Sequence, residues 1–466
     1  AKLEHAEEKK FQLHEALLQF CYSVLGSQES NRASEGDNSG MEEGDMTEAL
    51  FLRIAQKYLR SPWPSCRLLA AALISLLPEA SNVGAIAVCV NLIQQRQLSQ
   101  CWFFSSVLLV LAQLLRKSRA VASAHFHTIS TLLPAVATNT QDLETVRNMY
   151  VVLATFDYNS PMVVQNQRSL SSIFSRLEKD LNSSDPSLSL MVSHFLRVVS
   201  KSPRSLRNTM KKQGFPQIIL NCLGNGKCGL EEIFKLGALS NLSVGIATVR
   251  SLILEGDKFS WVVEAAQMNP LKGVSRNALW LLKNLSFNAS IDVKRKILED
   301  LTQDYILCLL RDTEPMQRQG LGLLRNLLHL HGRYIKQHEY GFLENLVPLL
   351  LERLANPVST AVSTQVMFCL CNLCAEEGPW KNWPSLGDSL PLVAKFCSHG
   401  DAEVILAALW CISNILRSAP EVALESAVQL MKDGFHDVLV ELGKDLSPEV
   451  RDRARTCRDQ LQSISS

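Results

Sequence analysis

The stretch Arg276-Asn277-Ala278-Leu279-Trp280-Leu281-Leu282-Lys283-Asn284-Leu285-Ser286-Phe287 decides how this chain is read. Ala278, Leu279, Leu282 and Leu285 recur at three- and four-residue intervals, which places them on one face of an amphipathic helix. The Leu-Lys-Asn-Leu segment near its end has four counterparts: Leu239-Ser240-Asn241-Leu242, Leu324-Arg325-Asn326-Leu327, Leu370-Cys371-Asn372-Leu373 and Ile412-Ser413-Asn414-Ile415. From Asn241 to Asn414, successive asparagines lie 43, 42, 46 and 42 residues apart. Five segments in register mark a repeat array, in which each unit packs only on its neighbours.

A period near 42 falls in the range of about 40–47 residues that belongs to armadillo and HEAT repeats. Within one unit, residues 290–299 and 302–310 read as two short helices that precede a long one. Asp312-Thr313-Glu314-Pro315 suits the start of the long helix. A polar cap engages free backbone N–H groups, and a first-turn proline leaves none unpaired. The expected fold is therefore all-α, an armadillo/HEAT-type right-handed α-solenoid. Armadillo repeats with a C-terminal cap are expected over 230–466, where the charged segment after Ser447-Pro448-Glu449 supplies a polar outer face to the last unit. Upstream, residues 65–77, 102–116, 145–156 and 187–199 read as long amphipathic helices without the asparagine signature, so 47–229 is assigned to divergent helical repeats. Residues 27–46 are rich in Ser, Gly and acids and lack an apolar period, which reads as a disordered insert. Residues 1–26 read as one helix of an interrupted repeat. The chain begins at Ala1 inside a helical pattern, so a natural N-terminus is expected further upstream, and the C-terminus is expected to be native.

Composition narrows the function. The 47 Lys and Arg residues nearly balance 46 Asp and Glu, whereas a nucleic-acid binder commonly needs a basic excess to displace counterions. The longest apolar stretch, residues 102–115, is too short to span a bilayer, which takes about 20 apolar residues. Nucleic-acid and membrane partners are accordingly not expected. Thirteen cysteines, mostly inside helical patterns, read as reduced core residues of a protein of the cytoplasm and nucleus. There is no Walker loop, G-x-S-x-G or H-E-x-x-H motif. No enzyme activity and no cofactor is expected. Cys371-Asn372-Leu373-Cys374 has the spacing of half a zinc site without a second ligand pair.

The candidate binding residues follow from the repeat. Trp280 and Trp410 each lie four residues before a repeat asparagine, one turn away on the same helix face, and the matching residues elsewhere are Gly237, Gly322 and Phe368. A carboxamide both donates and accepts, so Asn241, Asn284, Asn326, Asn372 and Asn414 can hold a partner's backbone or bond to the preceding repeat and fix the solenoid. Lys283 and Arg325 immediately precede repeat asparagines; they form either a positive strip for an acidic or C-terminal carboxylate partner or ordinary solvated surface. The Trp–Asn pairing resembles importin-α repeats, which implies extended peptides held by amides between tryptophan walls. The tryptophans here stand three units apart, however, instead of in consecutive units.

A second resemblance covers more of the chain. The stretch quoted first, together with Lys296-Ile297-Leu298, Cys308-Leu309-Leu310-Arg311-Asp312, Gly322-Leu323-Leu324-Arg325-Asn326-Leu327-Leu328 and Leu406-Ala407-Ala408-Leu409-Trp410-Cys411-Ile412-Ser413-Asn414-Ile415, resembles the armadillo subunits of the CTLH/GID ubiquitin-ligase complex. The likeness covers about residues 230–462, with departures at 27–46 and 376–383. It implies a subunit that transfers no ubiquitin itself and links a substrate receptor to the core subunits of the ligase. The alternatives that stay open are an importin-like or other peptide-binding transport or signalling adaptor, and a different armadillo scaffold that shares the C-terminal module.

Overall fold

The computed structural model describes residues 41–465 except 78–82, 96–100, 118, 139–141, 226–228, 268–270, 330–339, 376–388 and 418–419. The helix expected over 1–26, most of the 27–46 insert and the 376–383 departure lie outside the described residues. One expectation is corrected. Residues 41–46, read as the end of a disordered insert, begin the helix Met41–Tyr58. Acidic residues at a helix start are favoured by the helix dipole, so a lack of apolar period did not exclude a helix there.

The described residues form helices and no strand, and the chain divides into two compact units, residues 1–242 and 243–466. The second unit shows the repeat most clearly. Its long helices Lys272–Ser286, Glu314–Leu328, Thr360–Ala375, Ala402–Ile415 and Pro448–Ser465 each pack on the next. Between the first two run Ile291–Leu301 and Gln303–Leu309. Ser290 caps the former by accepting from the Val293 N–H. Thr302 makes the corner between them at φ +60°, where its hydroxyl accepts from the Tyr305 N–H. Leu279, Leu282 and Leu285 are buried, as are Leu321, Leu324 and Leu327 one repeat later. Fully burying a leucine contributes about 1.5–3 kcal/mol, so this apolar stripe, recurring along the array, drives the packing.

The first unit contains the long helices Pro64–Leu76, Cys101–Lys117, Leu143–Leu153, Pro186–Val199 and Gly229–Ser243. The last of these, with Asn241, falls in the first unit up to Leu242, whereas the sequence places the boundary at 229/230. It is tied backwards along the chain. Asn241 donates to the Ser200 hydroxyl at 2.9 Å, the Arg207 guanidinium donates to the Asn241 carbonyl at 2.9 Å, and Lys235 donates to the Cys222 carbonyl at 2.9 Å.

Candidate functional site

The repeat asparagine is the thirteenth residue of each long helix that carries it, and Asn241, Asn326, Asn372 and Asn414 direct their amides at the same place on the helix before. Asn326 Nδ2 donates to the Lys283 carbonyl at 2.9 Å, Asn372 to Arg325 at 2.8 Å and Asn414 to Cys371 at 3.1 Å. Asn241 approaches the Arg197 carbonyl at 3.5 Å. Every acceptor is the twelfth residue of the preceding long helix. The amides thus form a ladder that fixes the register of neighbouring repeats, because a buried carboxamide must find partners.

Two rungs escaped the sequence reading. Gln113 is the thirteenth residue of Cys101–Lys117 and accepts from the Ser75 hydroxyl at 2.9 Å; Gln460 holds the same place in Pro448–Ser465 and accepts from Ser413 at 2.7 Å. In both, glutamine replaces asparagine, and serine stands at the twelfth position of the previous long helix. A search for any carboxamide at the repeat spacing finds them; a search for Asn-Leu does not.

The ninth position faces the twelfth residue of the helix before. A methyl group added to Gly237 would lie 3.1 Å from Arg197 Nε, and one on Gly322 only 2.9 Å from Lys283 Cδ. Glycine there leaves a channel in which a long cationic side chain lies flat. Where the ninth residue is Phe368, the Arg325 guanidinium sits over its ring at 5.5 Å instead, a cation–π contact. Trp410 remains 38% exposed, with the Arg453 guanidinium 3.1 Å from its ring centre.

Two cavities open along the long helices of the second unit. One, of about 600 Å³, is lined by Phe368, Asn372, Trp410, Asn414, Arg417 and His329, among others. Asn414 is committed on both sides, since its oxygen accepts from Arg417 Nη2 at 2.7 Å while its nitrogen holds the ladder bond. Asn326 is buried. Asn372 is only half-buried and lines the cavity, so among these three it is the asparagine able to serve both ladder and ligand.

The other cavity, of about 420 Å³, is lined by Lys283, Arg318, Arg325, Gln319, Gln365 and Asp401, with Glu403 on the same wall as Asp401. Burial, reinforced by Arg325 and Arg318, pushes the Lys283 ammonium pKa down, and its Nζ donates to Gln319 Oε1 at 2.9 Å. Trp280 is half-buried and lines neither cavity. The two tryptophans paired in the importin-like reading are therefore not brought to one described pocket.

The cysteine pair is core. Burial raises the Cys371 thiol to about 12, and Cys374 Sγ lies 3.9 Å from Cys411 Sγ. Among the described residues no group of three or more His, Cys, Asp or Glu side chains is placed to hold a metal ion. No helix among them is long and apolar enough to cross a membrane.

No family model matches the chain. It is 26% identical over 298 residues to armadillo repeat-containing protein 8 of Danio rerio, a match covering 61% of this chain and 42% of that protein. The Mus musculus protein of the same name is 27% identical over 279 residues, covering 57% and 39%. These matches span about two fifths of the length of the curated relatives. The crystal structure of an engineered protein superposes with a TM-score of 0.68 at 16% identity, over 88% of this chain and 99% of that one, a likeness of fold alone. With its three-helix units and carboxamide ladder, this chain is an all-α solenoid of the armadillo type whose consistent, distant sequence likeness is to armadillo repeat-containing protein 8.

Proposed function

We propose that this protein is a non-catalytic scaffold of a CTLH/GID-type ubiquitin ligase. It holds a substrate receptor against the core subunits so that separate RING subunits direct the substrate to proteasomal degradation, in the cytoplasm and nucleus. The observation that carries this reading is the sequence likeness to armadillo repeat-containing protein 8 over about three fifths of the chain. The cavity at Phe368, Asn372 and Trp410 adds a local contact point with aromatic anchors, a side-chain class prominent among those that dominate binding at interfaces.

The test is affinity purification of the full chain from cells followed by mass spectrometry. CTLH/GID subunits are expected in near-stoichiometric amount; recovery without any of them overturns the proposal. An importin-like adaptor for basic peptides is a poorer fit, because Arg325, Arg417 and Arg453 crowd the aromatic cavity or its walls and would repel such cargo. If basic peptides nonetheless bind, and Trp410→Ala abolishes their binding, the adaptor reading replaces the scaffold one.

A further inference from the structure

Cations are treated differently at different places in this molecule. Lys235, buried in the first unit, is neutralised by Glu231 at 2.7 Å and Glu232 at 3.4 Å. Arg176 is held by Asp180 through two bonds of 2.6 and 3.1 Å. Lys283, Arg318 and Arg325 line one cavity, yet among the described residues none of the three forms an ion pair with a carboxylate. They come from two successive long helices, as the twelfth residue of Lys272–Ser286 and the fifth and twelfth of Glu314–Leu328.

We infer that this cavity binds a single phosphorylated side chain on an extended segment of a partner protein.

Four observations select that chemistry. The three cations offer an ammonium and two planar forks, and a phosphate has three strong acceptor oxygens to meet them where a carboxylate has two. Burial lowers the Lys283 pKa first, and Arg325 and Arg318 lower it further; their part is a repulsion among neighbouring cations, which a bound dianion relieves. Asp401 and Glu403, from the next long helix and its cap, also line the cavity. The Asp401 carboxylate caps its own helix, accepting from the Glu403 N–H at 2.8 Å, and among the described residues neither acid forms an ion pair with the three cations. These acids also disfavour a polyanion such as a nucleic-acid strand, which would carry further phosphates past them. Finally, Arg325 joins this cavity to the aromatic one, since it lines the first and stacks on Phe368, which lines the second. An extended segment with a phosphorylated residue at the cations can therefore place a large apolar side chain towards Trp410. The inference rests on the second unit's own geometry and holds whether or not the protein serves a ubiquitin ligase.

The test is fluorescence polarisation of the full chain with three labelled degenerate peptide libraries that differ at one fixed residue: phosphoserine, serine or glutamate. Charge-assisted bonds at three cations should give the phosphoserine library at least about tenfold tighter binding than serine, and several-fold tighter than glutamate. Arg318→Gln lies at an exposed position where the fold does not depend on it, and it should reduce the preference over serine to about threefold or less. Lys283→Gln should act in the same way. Equal binding of phosphoserine and serine overturns the inference, as does glutamate binding as tightly as phosphoserine, or a preference unchanged by both substitutions. Recovery of ligase subunits with the unsubstituted chain is read separately, so failure here is distinguishable from failure of the scaffold reading.

Discussion

The two units solve one problem in different ways. Each must satisfy polar groups trapped between successive long helices, because an unmet buried donor or acceptor costs about 1–3 kcal/mol. The second unit uses one device repeatedly, a carboxamide at position thirteen bonded to position twelve of the helix before. The first unit builds most of its junctions individually. Gln113 and Asn241 follow the common register. Leu143–Leu153, eleven residues long, is too short to have a thirteenth position, and Asn148 instead bonds the Ser105 hydroxyl at 2.6 Å from its sixth. Tyr150 donates to Asp180 at 2.7 Å while Arg176 grips the same carboxylate, and Ser189 donates to Glu231 at 2.6 Å beside Lys235. A repeated device spreads the load over small, equivalent bonds. An individual one concentrates it in a few side chains.

That difference can be broken most forcefully at Asp180. Replacement by alanine leaves the Arg176 guanidinium without its carboxylate and the buried Tyr150 hydroxyl without its acceptor. Removing one partner of a buried pair typically destabilises by about 3–5 kcal/mol; Arg176 retains some solvent contact, so about 3 kcal/mol is expected here. Hydrogen exchange should show the loss of protection concentrated in Leu143–Leu153 and Leu177–Leu181, with the second unit unchanged. A loss below about 1 kcal/mol, the range of an exposed pair, would mean that the first unit does not depend on such clusters.

A ladder rung is worth less. Asn326→Ala removes the donor to the Lys283 carbonyl, but that carbonyl still accepts from the Ser286 hydroxyl at 2.9 Å. Likewise the Arg325 carbonyl keeps the His329 N–H at 3.2 Å after Asn372→Ala. Neither acceptor is orphaned, so each substitution should cost about 1 kcal/mol, read from urea midpoints. Gln113→Ala in the first unit should cost a similar amount if it is a rung of the same ladder. A near-zero effect of Gln113→Ala beside a full effect of Asn326→Ala would restrict the ladder to the second unit.

The same contrast explains what the sequence made legible. A device repeated every 42 to 46 residues announces itself, so the helices around Asn284, Asn326, Asn372 and Asn414 could be placed by arithmetic. Their bonding could not, because an amide facing a ligand and an amide facing the previous repeat have the same spacing; only the carbonyls of Lys283, Arg325 and Cys371 separate the two. Gln113 and Gln460 were hidden by one methylene. The cluster around Asp180 leaves no repeat trace: Arg176 and Asp180 are an i,i+4 pair at one short helix, and Tyr150 reaches them from Leu143–Leu153 at a separation unrelated to the repeat period. The cation cavity was half legible. Lys283 and Arg325 stood out beside their asparagines, whereas Arg318 joins them only through the helical turn that brings position five of Glu314–Leu328 to the same opening.

The smallest effect is expected at Gly322, where stability and binding should separate. In a helix interior, alanine is favoured over glycine by about 1 kcal/mol, so Gly322→Ala begins with a gain. Against it, the new methyl would meet Lys283 Cδ at 2.9 Å. That atom lies well along a flexible chain, and the lysine can lift away by giving up its bond to Gln319. The two terms nearly cancel, leaving a net change of less than about 1 kcal/mol and a melting shift of a few degrees at most. The displaced ammonium no longer converges with Arg318 and Arg325, so the preference for a phosphorylated peptide should fall while the fold stays intact. Gly237→Ala is the control in the first unit, because its neighbour Arg197 is a similarly long cation (Nε at 3.1 Å) placed over Phe234. A loss above about 2 kcal/mol at Gly322 alone, the range typical of overpacking, would show that Lys283 is locked into its channel as a structural strut, and that the cavity it lines is a consequence of packing.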